Sequence, residues 1–90
     1  MNTEQSLAFI RRSVLKLYKT HPQIHINVSI VHPKIKLFNV EAVITGVYPH
    51  IFTIKEETKG VVYYRSLTYA DLITGRIEIL ELMNRTQSPQ

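Results

Sequence analysis

Hydrophobic positions along this chain change period once, at Pro22. Before it, Leu7, Ile10, Val14, Leu17 and Tyr18 recur at three- and four-residue spacing. At 100° per residue they share one face of a helix. Arg12, Lys16 and Lys19 project from the opposite face by the same arithmetic. Asn2 or Thr3 can cap the start, with Gln5 completing a capping box after Asn2. Pro22 ends the helix, since the residue before a proline is pushed out of helical geometry. The spacing predicts a helix over residues 3–20.

After Pro22 the period is two. Ile24, Ile26, Val28 and Ile30 alternate with His25, Asn27 and Ser29, the pattern of a half-buried strand. Val31-His32-Pro33 breaks it, and alternation resumes from Lys34 and Ile35 through to Gly46. That stretch is long for a single strand, so a bulge is expected near Phe38-Asn39 or near Gly46. Tyr48-Pro49-His50 reads as a turn, and Ile51, Phe52 and Ile54 as the next strand. Glu56-Glu57-Thr58-Lys59-Gly60 reads as a polar hairpin loop, and Val61–Leu67 as a fourth strand of β-branched and aromatic residues. Thr68 and Gly75 bracket a single helical turn as cap and stop, and Arg76–Leu82 supplies a last strand with Ile77 and Ile79 inward.

This order predicts an α+β, mostly β, fold: an N-terminal helix packed on a small five-stranded SH3-like or Sm-like barrel. Residues 1–83 form one domain, and 84–90, with nothing apolar after Met83, form a flexible tail. A barrel this small leaves a strand edge open, and Ile24–Ile30 or Val61–Leu67 could then pair with a second copy as a homodimer.

Ninety residues hold one core and no second domain to close a cleft. Cysteine is absent, which removes disulfides, thiolate metal sites and thiol nucleophiles. No run of about 18 apolar residues spans a bilayer, and no signal peptide opens the chain, so the reading is cytoplasmic with no membrane partner. His21, His25, His32 and His50 form no i, i+4 pair and have no carboxylate nearby in sequence, so no metal site is expected. The glycines at 46, 60 and 75 are isolated and build no phosphate loop, and no serine sits in a Gly-x-Ser-x-Gly elbow. Glu56-Glu57 is read as solvated rather than as an acid–base pair. Neither catalytic residues nor a cofactor are expected.

Charge is uneven. Residues 1–40 set Arg11, Arg12, Lys16, Lys19, Lys34 and Lys36 against Glu4 alone, while residues 41–90 are nearly balanced. Those six cations are the candidate nucleic-acid contacts, each phosphate neutralised steepening the log–log salt slope by about 0.9. A solvated helix face meeting an acidic regulatory protein is the other reading, since no base-reading motif accompanies the charge. Tyr48, Pro49, His50 and Phe52 could make an aromatic platform, unless Phe52 faces inward and Tyr48-Pro49 is only a rigid turn.

Two segments resemble a known family. Ala42–Ile54 contains a Tyr-Pro-x-x-Phe pattern at Tyr48, Pro49 and Phe52, and Ser66–Ile79 contains Tyr-Ala-Asp-x-x-Thr at Tyr69, Asp71 and Thr74. With Ile10-Arg11-Arg12-Ser13, their order and spacing resemble the Veg family over residues 7–82. Veg proteins are small Gram-positive bacterial proteins described as biofilm formation stimulators acting through transcriptional regulation, with a helix packed on a barrel. The resemblance implies a non-enzymatic regulatory role and no chemical site. It implies a basic Gly-Gly-Arg-Arg-Lys-type loop between the first two strands, where this chain has Val31-His32-Pro33-Lys34-Ile35-Lys36, less basic and without glycine. The aspartate of the Sm uridine pocket is also missing, Pro49 lying near its place.

Overall fold

Period-three apolar spacing becomes α1 (Thr3–Thr20), and the alternating segments become five antiparallel strands. These are β1 (Gln23–Ile30), β2 (Ile35–Val47), β3 (Ile51–Thr58), β4 (Val61–Thr68) and β5 (Ile77–Ile79), with a short α2 (Tyr69–Thr74) before the last. The computed structural model describes residues 3–32 and 34–82. The cap expected at Asn2 and the tail expected at 84–90 fall outside the described residues.

The strand order is β4-β3-β2-β1-β5, so β4 and β5 are the two edges and the sheet is not closed. The expected barrel is therefore corrected to an open sheet. β5 is only three residues long and pairs with β1 alone, through Ile26–Val28. The first half of β4, Val61–Tyr64, is exposed on both faces and has no core to bend around. The last strand is shorter than expected because residues 80–82 turn helical. β1 is interior, which rules out Ile24–Ile30 as a free edge.

β2 carries bulges at both expected places. Against β1 the register slips between Ile26 and Val28, and against β3 between Ile44 and Gly46. The extra residues lie on β2, which lets a 13-residue strand bend over one core. At the first bulge Asn39 has a positive φ of 52°, a conformation asparagine tolerates better than most residues. Asn27 on β1 holds it: its Oδ1 accepts from the Asn39 N–H at 2.7 Å while its Nδ2 donates to Glu78 on β5 at 3.0 Å. One side chain thus ties three strands.

The core is drawn from every element. Val14 and Leu17 of α1 meet Ile24, Ile26 and Val28 of β1, Ala42 and Ile44 of β2, Phe52 and Ile54 of β3, Leu67, Tyr69, Ile77 and Ile79. Leu7 and Ile10 pack half-buried at its border. At the β3–β4 hairpin the strands run further than the sequence suggested, leaving only Lys59-Gly60 in the turn, both with positive φ. The consequence is a correction: Glu56 is not in a solvated loop but buried in β3 at 3% exposure. Its Oε1 accepts from Arg65 Nε at 2.8 Å, and its Oε2 from the Thr58 hydroxyl at 3.1 Å.

Candidate binding site on the helix and the adjoining turn

The turn between β2 and β3 is built from the motif residues. Tyr48 N–H donates to the Ile51 carbonyl at 2.9 Å and closes it. Tyr69, fully buried at the start of α2, donates its hydroxyl to the Tyr48 carbonyl at 2.7 Å, and its ring stacks on Phe52 with centroids 5.6 Å apart. Burial pushes the Tyr69 hydroxyl above its ordinary value, against that bond and the nearby Arg11 charge, so it stays a donor. The Tyr48 ring folds back over Gly46, where a Cβ would come within 2.6 Å of the Tyr48 hydroxyl. Phe52 faces inward and leaves the aromatic platform, which reduces to exposed Tyr48 and Pro49 with His50 alongside.

The second motif caps a helix. Thr68 accepts from the Asp71 N–H at 3.1 Å, and Gly75 ends α2 in the left-handed region at φ 85°. It is the Asp71 backbone that takes part in the cap, while its carboxylate lies 3.7 Å from Arg76. Thr74 donates to the Asp71 carbonyl at 3.4 Å and accepts from Arg76 at 3.2 Å. All six motif residues thus take part in hydrogen bonds or packing within the fold, Pro49 by accepting at its carbonyl from α1.

Arg11 makes that contact, donating from Nη1 to the Pro49 carbonyl at 3.0 Å. Where the helix and turn meet lies a groove of about 530 Å³. Ala8, Leu15 and Val47 supply its apolar lining, Tyr48 and Pro49 one wall, and Arg11 and Arg12 the charge. Arg12, Lys16 and Lys19 are exposed, and among the described residues none pairs with an acidic side chain. Lys34 and Lys36 are exposed too, but Lys34 lies in the turn just before β2 and Lys36 near its start, the opposite end from Val47 and the β2–β3 turn. The structure therefore gathers Arg11 and Arg12 at the groove with Lys16 and Lys19 along the same helix, and sets Lys34 and Lys36 apart.

Sequence reasoning missed the groove's lining and the pinning role of Arg11. Arg11 stands at the border between the apolar stripe and the basic face, a position where a long side chain can reach a neighbour. It also missed Phe9, exposed on the basic side of α1.

One titratable cluster is long-range. His25 N–H donates to Glu81 Oε1 at 2.9 Å, and its Nδ1 lies 2.8 Å from Glu81 Oε2. Glu41 is 3.8 Å from its other ring nitrogen. The Glu81 hydrogen bond is the main cause raising the His25 pKa, aided by both carboxylate charges and opposed by desolvation. Burial pushes Glu81 upward, but the bonds and charge of His25 outweigh it and leave the carboxyl below its ordinary value. A raised histidine stabilises fully below its ordinary value of 6.5 and loses that contribution as pH climbs through the raised value. A lowered glutamate stabilises fully above 4.5 and loses it as pH falls through the lowered value. The pair therefore contributes most between those two ordinary values. In thermal melts across pH, His25→Gln is expected to lower Tm most in that window and to converge on wild type in mild alkali; equal differences at every pH would contradict it. Among the described residues no group of three histidines and carboxylates is arranged to hold a metal ion.

No described helix is long and apolar enough to cross a membrane. A family model described as biofilm formation stimulator VEG matches residues 5–80. No curated protein and no solved structure matches the chain.

Proposed function

Because the chain belongs to the Veg family of biofilm formation stimulators, we propose that it is a non-enzymatic cytoplasmic regulator that acts on transcription by binding an acidic regulatory protein. The observation that carries this reading is the groove between α1 and the Tyr48-Pro49 turn, where an apolar lining meets Arg11 and Arg12. Arginine and tyrosine beside a small apolar recess are the residues that anchor protein interfaces. Arg12, Lys16 and Lys19 extend it as a cationic strip that would steer an acidic surface and set its orientation.

A second reading is direct contact with RNA or DNA through the basic face of α1. The exposed, acid-free row of Arg12, Lys16 and Lys19 favours it. Affinity capture with and without nuclease separates the two. The protein reading expects an acidic partner that survives nuclease and is lost with the triple variant Arg12→Glu, Lys16→Glu, Lys19→Glu. Capture abolished by nuclease, together with anisotropy binding to random DNA or RNA that weakens by roughly 0.9 per contact in the log–log salt slope, would favour the second. Equal capture by wild type and variant would exclude this face from either.

A further inference from the structure

We propose that the outer edge of β4 is a homodimer interface, through which two copies join their sheets antiparallel about a twofold axis. β4 is an edge strand over its whole length, so one row of its backbone N–H and C=O groups has no partner in the sheet. Val61, Val62, Tyr63 and Tyr64 are consecutive, uncharged and exposed by 50, 44, 45 and 74%. Soluble proteins guard such edges with lysine, proline or a bulge, and this stretch has none of them: its pairing with β3 runs unbroken from Thr58↔Val61 to Ile51↔Thr68. The opposite edge is different in kind, since β5 is too short to template another strand.

Charge selects the occupant. A strand of either net charge finds no counter-charge along Val61–Tyr64, and the nearby Arg65 is already engaged by Glu56 at 2.8 Å. A second copy matches this neutrality with its own. The basic excess of the chain lies in residues 1–40, and none of these belongs to β3 or β4, so the two copies meet through their nearly balanced halves.

Side-chain parity narrows the register. Tyr63 pairs with Glu56 on the face that carries the core, whereas Val62 and Tyr64 lie on the other. Joining like faces requires odd residues opposite odd ones. Centring on Tyr63 sets it opposite Tyr63 of the partner subunit and Val62 opposite Tyr64 of the partner subunit. Sliding the axis to Val62 would set Lys59 against Arg65 of the partner subunit, a like-charge pair that disfavours it. Because the same strand serves both copies, the contact consumes the edge and closes as a dimer rather than a filament.

The test is sedimentation equilibrium of the full chain, up to a concentration of about 100 μM. Wild type is expected at dimer mass, and Val62→Lys with Tyr64→Lys at monomer mass, a weakening of more than about thirtyfold with an unchanged circular dichroism spectrum. The chain has no cysteine, so Tyr63→Cys can form only an intermolecular disulfide. Mild oxidation should link it rapidly, and Lys19→Cys on the helix should not. Wild type at monomer mass, a dimer untouched by the two lysines, or equal linking by both cysteine variants would overturn the proposal.

Discussion

Replacing Arg65 with methionine is expected to destabilise the fold by about 3 kcal/mol, a large share of what a domain of this size has. Glu56 lies in β3 with its side chain 4% exposed, and Arg65 Nε is the cation that meets it. Removing the guanidinium leaves a carboxylate in the interior with one neutral hydroxyl, that of Thr58, as its hydrogen-bonding company. The effect sits at the lower end for a broken buried pair because Arg65 keeps 26% of its side chain in water. Removing both charges, as Glu56→Leu with Arg65→Met, should restore most of the loss, since a desolvated ion pair exchanged for apolar packing is often near neutral. Urea melts of the single and double variants measure this directly. A double variant as unstable as Arg65→Met alone would mean that the loss comes from shape and not from the orphaned charge.

Tyr69→Ala is expected to cost about 3–5 kcal/mol, enough to leave much of the protein unfolded near physiological temperature. The side chain is fully buried, stacks on Phe52 and is the largest in the core. Tyr69→Phe separates packing from anchoring. It keeps the ring and removes only the hydroxyl that holds the Tyr48 carbonyl, at a cost of about 1 kcal/mol. That variant should fold and yet bind its partner less well, because the turn forming one wall of the groove loses a tether. A Tyr69→Phe protein as unstable as Tyr69→Ala would contradict the division.

The sequence made most of the frame legible. The helix, the alternation of β1, the two bulges of β2 and the Thr68 and Gly75 caps all follow from local rules, because each depends on residues close in the chain. The contacts that were missed are between residues distant in it. Glu56 reads as a loop residue until Arg65 is placed across the hairpin, and His25 has no nearby carboxylate until Glu81 folds back beside it. Closure of the sheet was also beyond local rules, since it depends on how far β4 and β5 extend past the core. The basic face was readable from helical spacing, whereas the groove needs the 38-residue reach from Arg11 to Pro49.

The most direct test of the regulatory face is made in cells whose own copy of this gene is deleted. Biofilm mass is measured after complementation with wild type or with Arg12→Glu, Lys16→Glu and Lys19→Glu together. These positions are exposed, so each exchange should shift stability by no more than about 0.5 kcal/mol and the variant should accumulate normally. The expected result is restored biofilm with wild type and none with the equally abundant triple variant. Full restoration by the triple variant would contradict the assignment of function to this face.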